Sequence, residues 1–102
     1  MLAASEIEAS ITLALENLPS QNVGAEKKGP GDAVVVLGAH FDTLPGVSGA
    51  NDNASGIAVL VTLARMLADA DLPSTLRIVP FGFEELGLHG SRFYVQSLSD
   101  EE

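Results

Sequence analysis

The sequence predicts an α/β protein: a three-layer α/β/α sandwich in miniature, built on a partial mixed sheet with the element order α-β-β-α-β-α. Three observations predict it. The run Val34-Val35-Val36-Leu37 is apolar without polar alternation, which implies a strand buried on both faces, as inner strands of α/β sheets are. Residues 54–70 place Ile57, Leu60, Val61, Ala64, Leu67 and Ala68 on one helical stripe, widened by Val59, Leu63 and Met66, so this helix is expected to be largely buried. A second apolar stretch, residues 75–83, follows after the break Leu72-Pro73-Ser74; strand, helix and strand then form a right-handed crossover with parallel strands.

The remaining elements follow in chain order. Residues 5–18 carry Ile7, Ile11, Ala14, Leu15 and Leu18 at helical spacing, with Glu6 and Glu8 in the first turn and Pro19 at the end, so an amphipathic helix is expected there. Residues 21–26 read as a short strand, and Lys27-Lys28-Gly29-Pro30-Gly31-Asp32 as a turn leading to the strand 33–39; an antiparallel hairpin is the expected pairing. Pro80 lacks a ladder donor, so the strand 75–83 is expected to lie at an edge or to bend before its end. Residues 88–98 close the chain as a helix.

A chain of 102 residues, 46% hydrophobic, has enough apolar surface for one core, and a single domain spanning residues 1–102 is expected. Cysteine is absent, which excludes disulfides, thiolate metal sites and a cysteine nucleophile; any metal must be held by nitrogen and oxygen. Fourteen acidic residues against five basic ones give a formal charge of −9, which argues against nucleic acid and anionic membrane surfaces as partners. The acidic end Asp100-Glu101-Glu102 reads as a solvated tail. No run reaches the ~18 apolar residues of a membrane span, and the stretch from Met1 to Glu6 has no basic segment before a hydrophobic block, so a soluble chain is expected, of unassigned compartment.

The residues that carry chemistry lie where strands run out into loops. His40 and Asp42 stand two apart at a strand end, on a shared face, so the carboxylate can reach the second imidazole nitrogen. Asp52 opens the long helix within Gly49-Ala50-Asn51-Asp52-Asn53, where it would cap the helix or serve another partner. Glu84 and Glu85 leave the second strand as neighbours and point in different directions, so the two can take different roles. An imidazole and several carboxylates are the donor set of a hydrolytic metal site, with a carboxylate left over to move a proton.

Three blocks, His40-x-Asp42, Gly49-Ala50-Asn51-Asp52-Asn53-Ala54-Ser55-Gly56 and Phe83-Glu84-Glu85-x-Gly87-x-x-Gly90-Ser91, occur in this order, and in them the chain resembles the M28 family of zinc peptidases, the co-catalytic aminopeptidases. The likeness runs from about residue 20 to residue 95. It implies that His40, Asp52 and Glu85 are zinc ligands, with Asp52 bridging two ions, that Asp42 orients His40, and that Glu84 is the general base and acid. It implies a peptide or amino-acid derivative as substrate, cleaved next to a free amino terminus. By the same resemblance the sequon Asn53-Ala54-Ser55 belongs to the metal loop. His89 falls where the family tolerates apolar residues and is read as a surface histidine.

The family's site also uses an aspartate and a histidine beyond the Glu-Glu block, and the seventeen residues after Glu85 hold no histidine except His89. With three protein ligands in place of five, up to two zinc ions are expected to be weakly held. The chain reads either as a fragment of a longer peptidase or as a short product, with self-association expected through an exposed sheet edge. Two other functions stay open: a catalytically inactive binding module, and a glutaminyl-cyclase-like transferase on the same fold.

Overall fold

The computed structural model describes residues 3–13 and 16–98, with side chains from Pro19 onward. Strands β1 (Ala3–Leu13) and β2 (Glu16–Lys27) are followed by β3 (Val34–His40), a short irregular helical turn at Ala50–Ala54, helix α1 (Ser55–Leu67), strand β4 (Thr75–Phe81) and helix α2 (His89–Ser97). The four strands form one mixed sheet in the order β1-β2-β4-β3.

The expected amino-terminal helix is instead β1 and the start of β2, paired antiparallel from Ala3↔Glu26 to Leu13↔Glu16. The physical reason is in the spacing. Ile7 and Ile11 are four apart, an even number, and so satisfy a period of two as well as one of 3.6. Ile7, Ala9, Ile11 and Leu13 alternate with Glu8, Ser10 and Thr12, and β-branched Ile and Thr favour the strand. Ala14 and Leu15, which the helical reading also used, lie outside the described residues.

The expected hairpin between β2 and β3 does not form, because β4 inserts between them. β3 and β4 are parallel from Val34↔Thr75 to His40↔Phe81, while β2 and β4 are antiparallel over Ala25↔Ile78 to Lys27↔Leu76. The segment after β2 crosses the start of β4: the Gly29 N–H donates to Thr75 Oγ1 at 3.1 Å, and the Thr75 N–H to the Ala33 carbonyl at 3.0 Å. Gly29 is required there, since a Cβ would run into the Ser74 carbonyl group. β4 is thus an inner strand, but its ladder to β2 ends at Ile78, so among the described residues Pro80 is paired in a ladder with β3 alone and its other side needs no donor. Pro19 likewise lies where β2 has β1 on one side and no ladder to β4 on the other.

The crossover helix packs Leu60 against Leu76 and Ile78, the buried centre of the core, with Leu37, Ala39, Ala64, Leu67 and Leu72 around them. Burying each such large side chain stabilises by about 1.5–3 kcal/mol relative to exposure. Lys27 closes the far end of α1 by donating from Nζ to the carbonyls of Leu67 (3.1 Å), Ala68 (2.7 Å) and Ala70. On β4, residues alternating with Leu76 and Ile78 meet α2: the Phe81 and Tyr94 rings pack edge to face at 5.7 Å, and Arg77 reaches the Tyr94 hydroxyl and Glu26.

Two burial expectations are corrected. β3 is an edge strand, with Val35 and Val36 exposed. α1 buries only Leu60 fully, and Val59 and Met66 are 60% and 70% exposed. Among the described residues no strand pairs with β3 on its outer side, and the residues of α1 turned from the sheet stay exposed. Among the described residues no helix is long and apolar enough to cross a membrane.

Candidate metal centre

Parallel pairing of β3 and β4 brings their carboxyl ends to one rim, with His40 opposite Phe81 and the Phe41 N–H bonded to the Phe81 carbonyl at 3.0 Å. Loops leaving the carboxyl ends of parallel strands are where α/β sheets place ligands. Here one loop carries Asp42 and leads to Asp52, and the other carries Glu84 and Glu85.

Asp52 reaches the rim because it is not the residue that caps the helix. Gly49, at φ 68, precedes the helical turn, Ala54 is the cap position of α1, and the Gly56 N–H donates to Asn53 Oδ1 at 3.0 Å, so Asn53 and not Asp52 serves a first-turn amide. Gly56 makes this possible, since a Cβ there would strike the Asn53 amide. The Asp52 carboxylate faces the rim instead, with Oδ1 2.9 Å from His40 Nε2.

The Glu84 and Glu85 loop is held at its tip and its neck. At the tip, the Glu84 and Glu85 N–H groups donate to Asp42 Oδ1 and Oδ2 at 2.9 and 3.1 Å, and the Glu84 carbonyl accepts from Gly87 and Leu88. At the neck, the Gly90 N–H donates to the Gly82 carbonyl at 3.0 Å. Asn22 spans that neck from β2: its Oδ1 accepts from the Gly82 N–H at 3.1 Å and its Nδ2 donates to the Gly90 carbonyl at 2.7 Å. Sequence reasoning passed over Asn22. The signal available was an asparagine inside a strand, where its type is depleted.

One nitrogen and two carboxylate oxygens, from His40, Asp52 and Glu85, lie within 4.8 Å of one another. Glu84 flanks this set, with Oε2 3.7 Å from His40 Nε2. His40 Nδ1 lies 3.1 Å from the Asp42 main-chain carbonyl and 3.5 Å from Oδ1. The carbonyl therefore makes the hydrogen bond to the imidazole, while the Asp42 carboxylate serves chiefly the Glu84 and Glu85 amides. His89 is outside the donor set.

The charges at the rim are out of balance. Burial lowers the pKa of His40, yet the negative charge of Glu84, the hydrogen bond to the Asp42 carbonyl and that to Asp52 outweigh it and hold the imidazole above its usual 6.5. Partial desolvation, then the charges of Asp52 and Glu84, push the Glu85 carboxyl above its usual 4.5. Four carboxylates crowd one imidazole, and a divalent cation relieves that repulsion. The nitrogen and oxygen donors, one per residue and close together, fit zinc.

Residues 22–102 match peptidase family M28. Among curated proteins, the chain is 41% identical over 99 residues to aminopeptidase YwaD of Bacillus subtilis, covering 93% of this chain and 22% of that protein. Among solved structures, a zinc aminopeptidase from Bacillus subtilis superposes with a TM-score of 0.79 at 41% identity, over 82% of this chain and 21% of that one. A glutaminyl cyclase from Porphyromonas gingivalis superposes with a TM-score of 0.72 at 34% identity, over 79% of this chain and 30% of that one. The chain spans about a fifth of the length of the aminopeptidases it matches.

Proposed function

Because the chain belongs to peptidase family M28, we propose that His40, Asp52 and Glu85 hold zinc and that these residues form the metal-binding part of an aminopeptidase-type hydrolase, acting on the peptide bond next to a free amino terminus. The observation that carries this reading is the convergence of three donor atoms within 4.8 Å, with a fourth carboxylate, Glu84, beside them and outside the set.

Zinc at this position would supply Lewis acidity toward the scissile carbonyl. Glu84 accepts the proton of the attacking water and returns it to the leaving amine, the work of a general base and acid. Asp42 keeps the imidazole and the two glutamates in register, through its carbonyl on one side and its carboxylate on the other. Asp52, 70% exposed at its side chain, has two oxygens to offer and would bridge a second ion. With zinc held by these side chains, turnover is expected to depend on zinc. The same three-layer α/β/α architecture would frame the site, α1 and α2 flanking the sheet.

Hydrolysis of amino-acid p-nitroanilides in the presence of added zinc tests the reading: zinc-dependent release of p-nitroaniline is expected, and none once Glu84→Gln is introduced. Equal turnover by Glu84→Gln overturns the assignment of the base. The likeness to a glutaminyl cyclase favours one second reading, cyclisation of an amino-terminal glutamine. Conversion of glutaminyl peptides with no p-nitroanilide turnover selects it.

A further inference from the structure

We propose that Asn22 is a positioning residue for the metal centre: by bridging the two ends of the loop 82–90, it sets where Glu84 and Glu85 stand relative to His40 and Asp52. The inference rests on the metal-binding reading above.

Asn22 is 1% exposed and is the largest fully buried side chain among the described residues. Burying a primary amide costs free energy unless its oxygen and nitrogen find partners, and the partners here are diagnostic. Both lie in one loop, eight residues apart, and neither belongs to a ladder: Oδ1 takes the N–H of Gly82, where β4 has ended, and Nδ2 gives to the carbonyl of Gly90, in the first turn of α2. The amide bridge runs alongside the Gly90 N–H to Gly82 carbonyl bond, so the neck is tied twice, once within the loop and once from β2.

The surroundings leave no slack. A Cβ on Gly90 would meet the Gly82 carbonyl and Asn22 Oδ1, and one on Gly82 would meet Ser20 Oγ and the Gln21 carbonyl. Two glycines are therefore needed for the loop ends to approach β2 this closely. Between them, Phe83 at φ 51 and Leu88 at φ 60 are non-glycine residues in the left-handed region, a conformation that persists only where the surroundings impose it. With the neck tied by Asn22 and the tip tied by Asp42, the glutamate carboxylates are presented from a loop with both ends fixed. Groups that orient metal ligands in this way change metal affinity by about 10–100-fold when removed.

The test is zinc titration by calorimetry and Co²⁺ absorption spectroscopy on the full chain, comparing wild type, Asn22→Asp and Leu60→Ala. Asn22→Asp keeps the size and the acceptor for Gly82 but sets a carboxylate against the Gly90 carbonyl. Leu60→Ala loosens the core on the α1 side, away from the loop. Expected is zinc affinity about tenfold or more weaker in Asn22→Asp, with an altered Co²⁺ spectrum, and both unchanged in Leu60→Ala at a comparable loss of thermal stability. Wild-type affinity in Asn22→Asp, or equal weakening in both variants, overturns the positioning role and leaves the metal site standing. No uptake by wild type overturns the metal site itself and this inference with it. Should Asn22→Asp not fold, hydrogen exchange on wild type decides: zinc slows the Gly82 and Gly90 amides together with those of Glu84 and Glu85 if the neck is coupled to the ligands, and an unchanged neck overturns the inference.

Discussion

The Asp42 carboxylate accepts the main-chain N–H of Glu85 at 3.1 Å through Oδ2, while its Oδ1 takes the neighbouring N–H of Glu84 at 2.9 Å. One side chain from the loop after β3 thus fixes the backbone of the loop after β4. The two loops cannot shift independently without breaking a bond between an ionised acceptor and an amide, which is among the stronger hydrogen bonds in proteins.

Asp42→Ala removes both acceptors. The expected loss is about 2–3 kcal/mol in denaturant unfolding, from hydrogen bonds to a charged group, with a parallel fall in zinc affinity. Asp42→Asn, which keeps one acceptor oxygen, falls between. A loss under about 0.5 kcal/mol for Asp42→Ala would show that the loop is held by other bonds.

The metal-free rim has a pH signature with a definite sign. The folded pKa of His40 lies above 6.5 and that of Glu85 above 4.5, so both groups bind protons more tightly in the folded chain than in the unfolded one. Each contribution is fully present below the group's unfolded value and is lost as pH rises through its folded value. In chelator, the two therefore remove stability in sequence as pH climbs past the carboxylate range and then past 6.5. Zinc requires a neutral imidazole and ionised carboxylates, so its affinity rises over the same interval. A proton NMR titration of His40 in metal-free protein is expected to show a midpoint above 6.5; one at or below that value contradicts the crowding of charge described above.

Lys27→Met keeps the length of the side chain and deletes the ammonium that meets the carbonyls of Leu67, Ala68 and Ala70. A cation on unsatisfied carbonyls at a helix end is worth about 1–2 kcal/mol when partly buried. The free energy of unfolding is expected to fall by that amount with metal affinity unchanged, since α1 is anchored to the site at its other end. Unchanged stability would mean that water replaces the ammonium at no cost.

Leu60 is 4% exposed between α1 and β4, and Leu60→Ala is expected to cost about 2–3 kcal/mol, the low part of the range for such truncations. The low value follows from the exposed outer side of α1, which lets neighbours close over the gap. A loss above about 5 kcal/mol would indicate a tighter core than the burial describes.

The crossover unit was legible in the sequence because its signals are redundant: an unbroken apolar run, a long helical stripe and a Pro-Ser break each mark the same boundaries. The amino-terminal strand was not, since residues spaced by four fit both periods and Glu6 and Glu8 suit a helix start. Sheet order was out of reach because the Gly29 crossing over Thr75 is a contact between distant residues with no periodic trace. At the site, three sequence blocks named His40, Asp52 and Glu85, and the structure places their donor atoms together. Asp42 was expected to use its carboxylate on His40; its Oδ1 lies 3.5 Å from His40 Nδ1, and the same carboxylate also accepts from the Glu84 and Glu85 amides. Such a role depends on two loops meeting, which spacing along the chain does not encode.

Isothermal titration of purified wild-type protein with Zn²⁺, alongside His40→Ala, Asp52→Ala and Glu85→Ala, measures the central claim directly. Saturable zinc uptake by wild type, weakened in every one of the three variants, is the result expected from three converging donors. Absence of uptake by the folded wild-type chain, or uptake that survives loss of His40 and Glu85 undiminished, would contradict a metal centre at this rim.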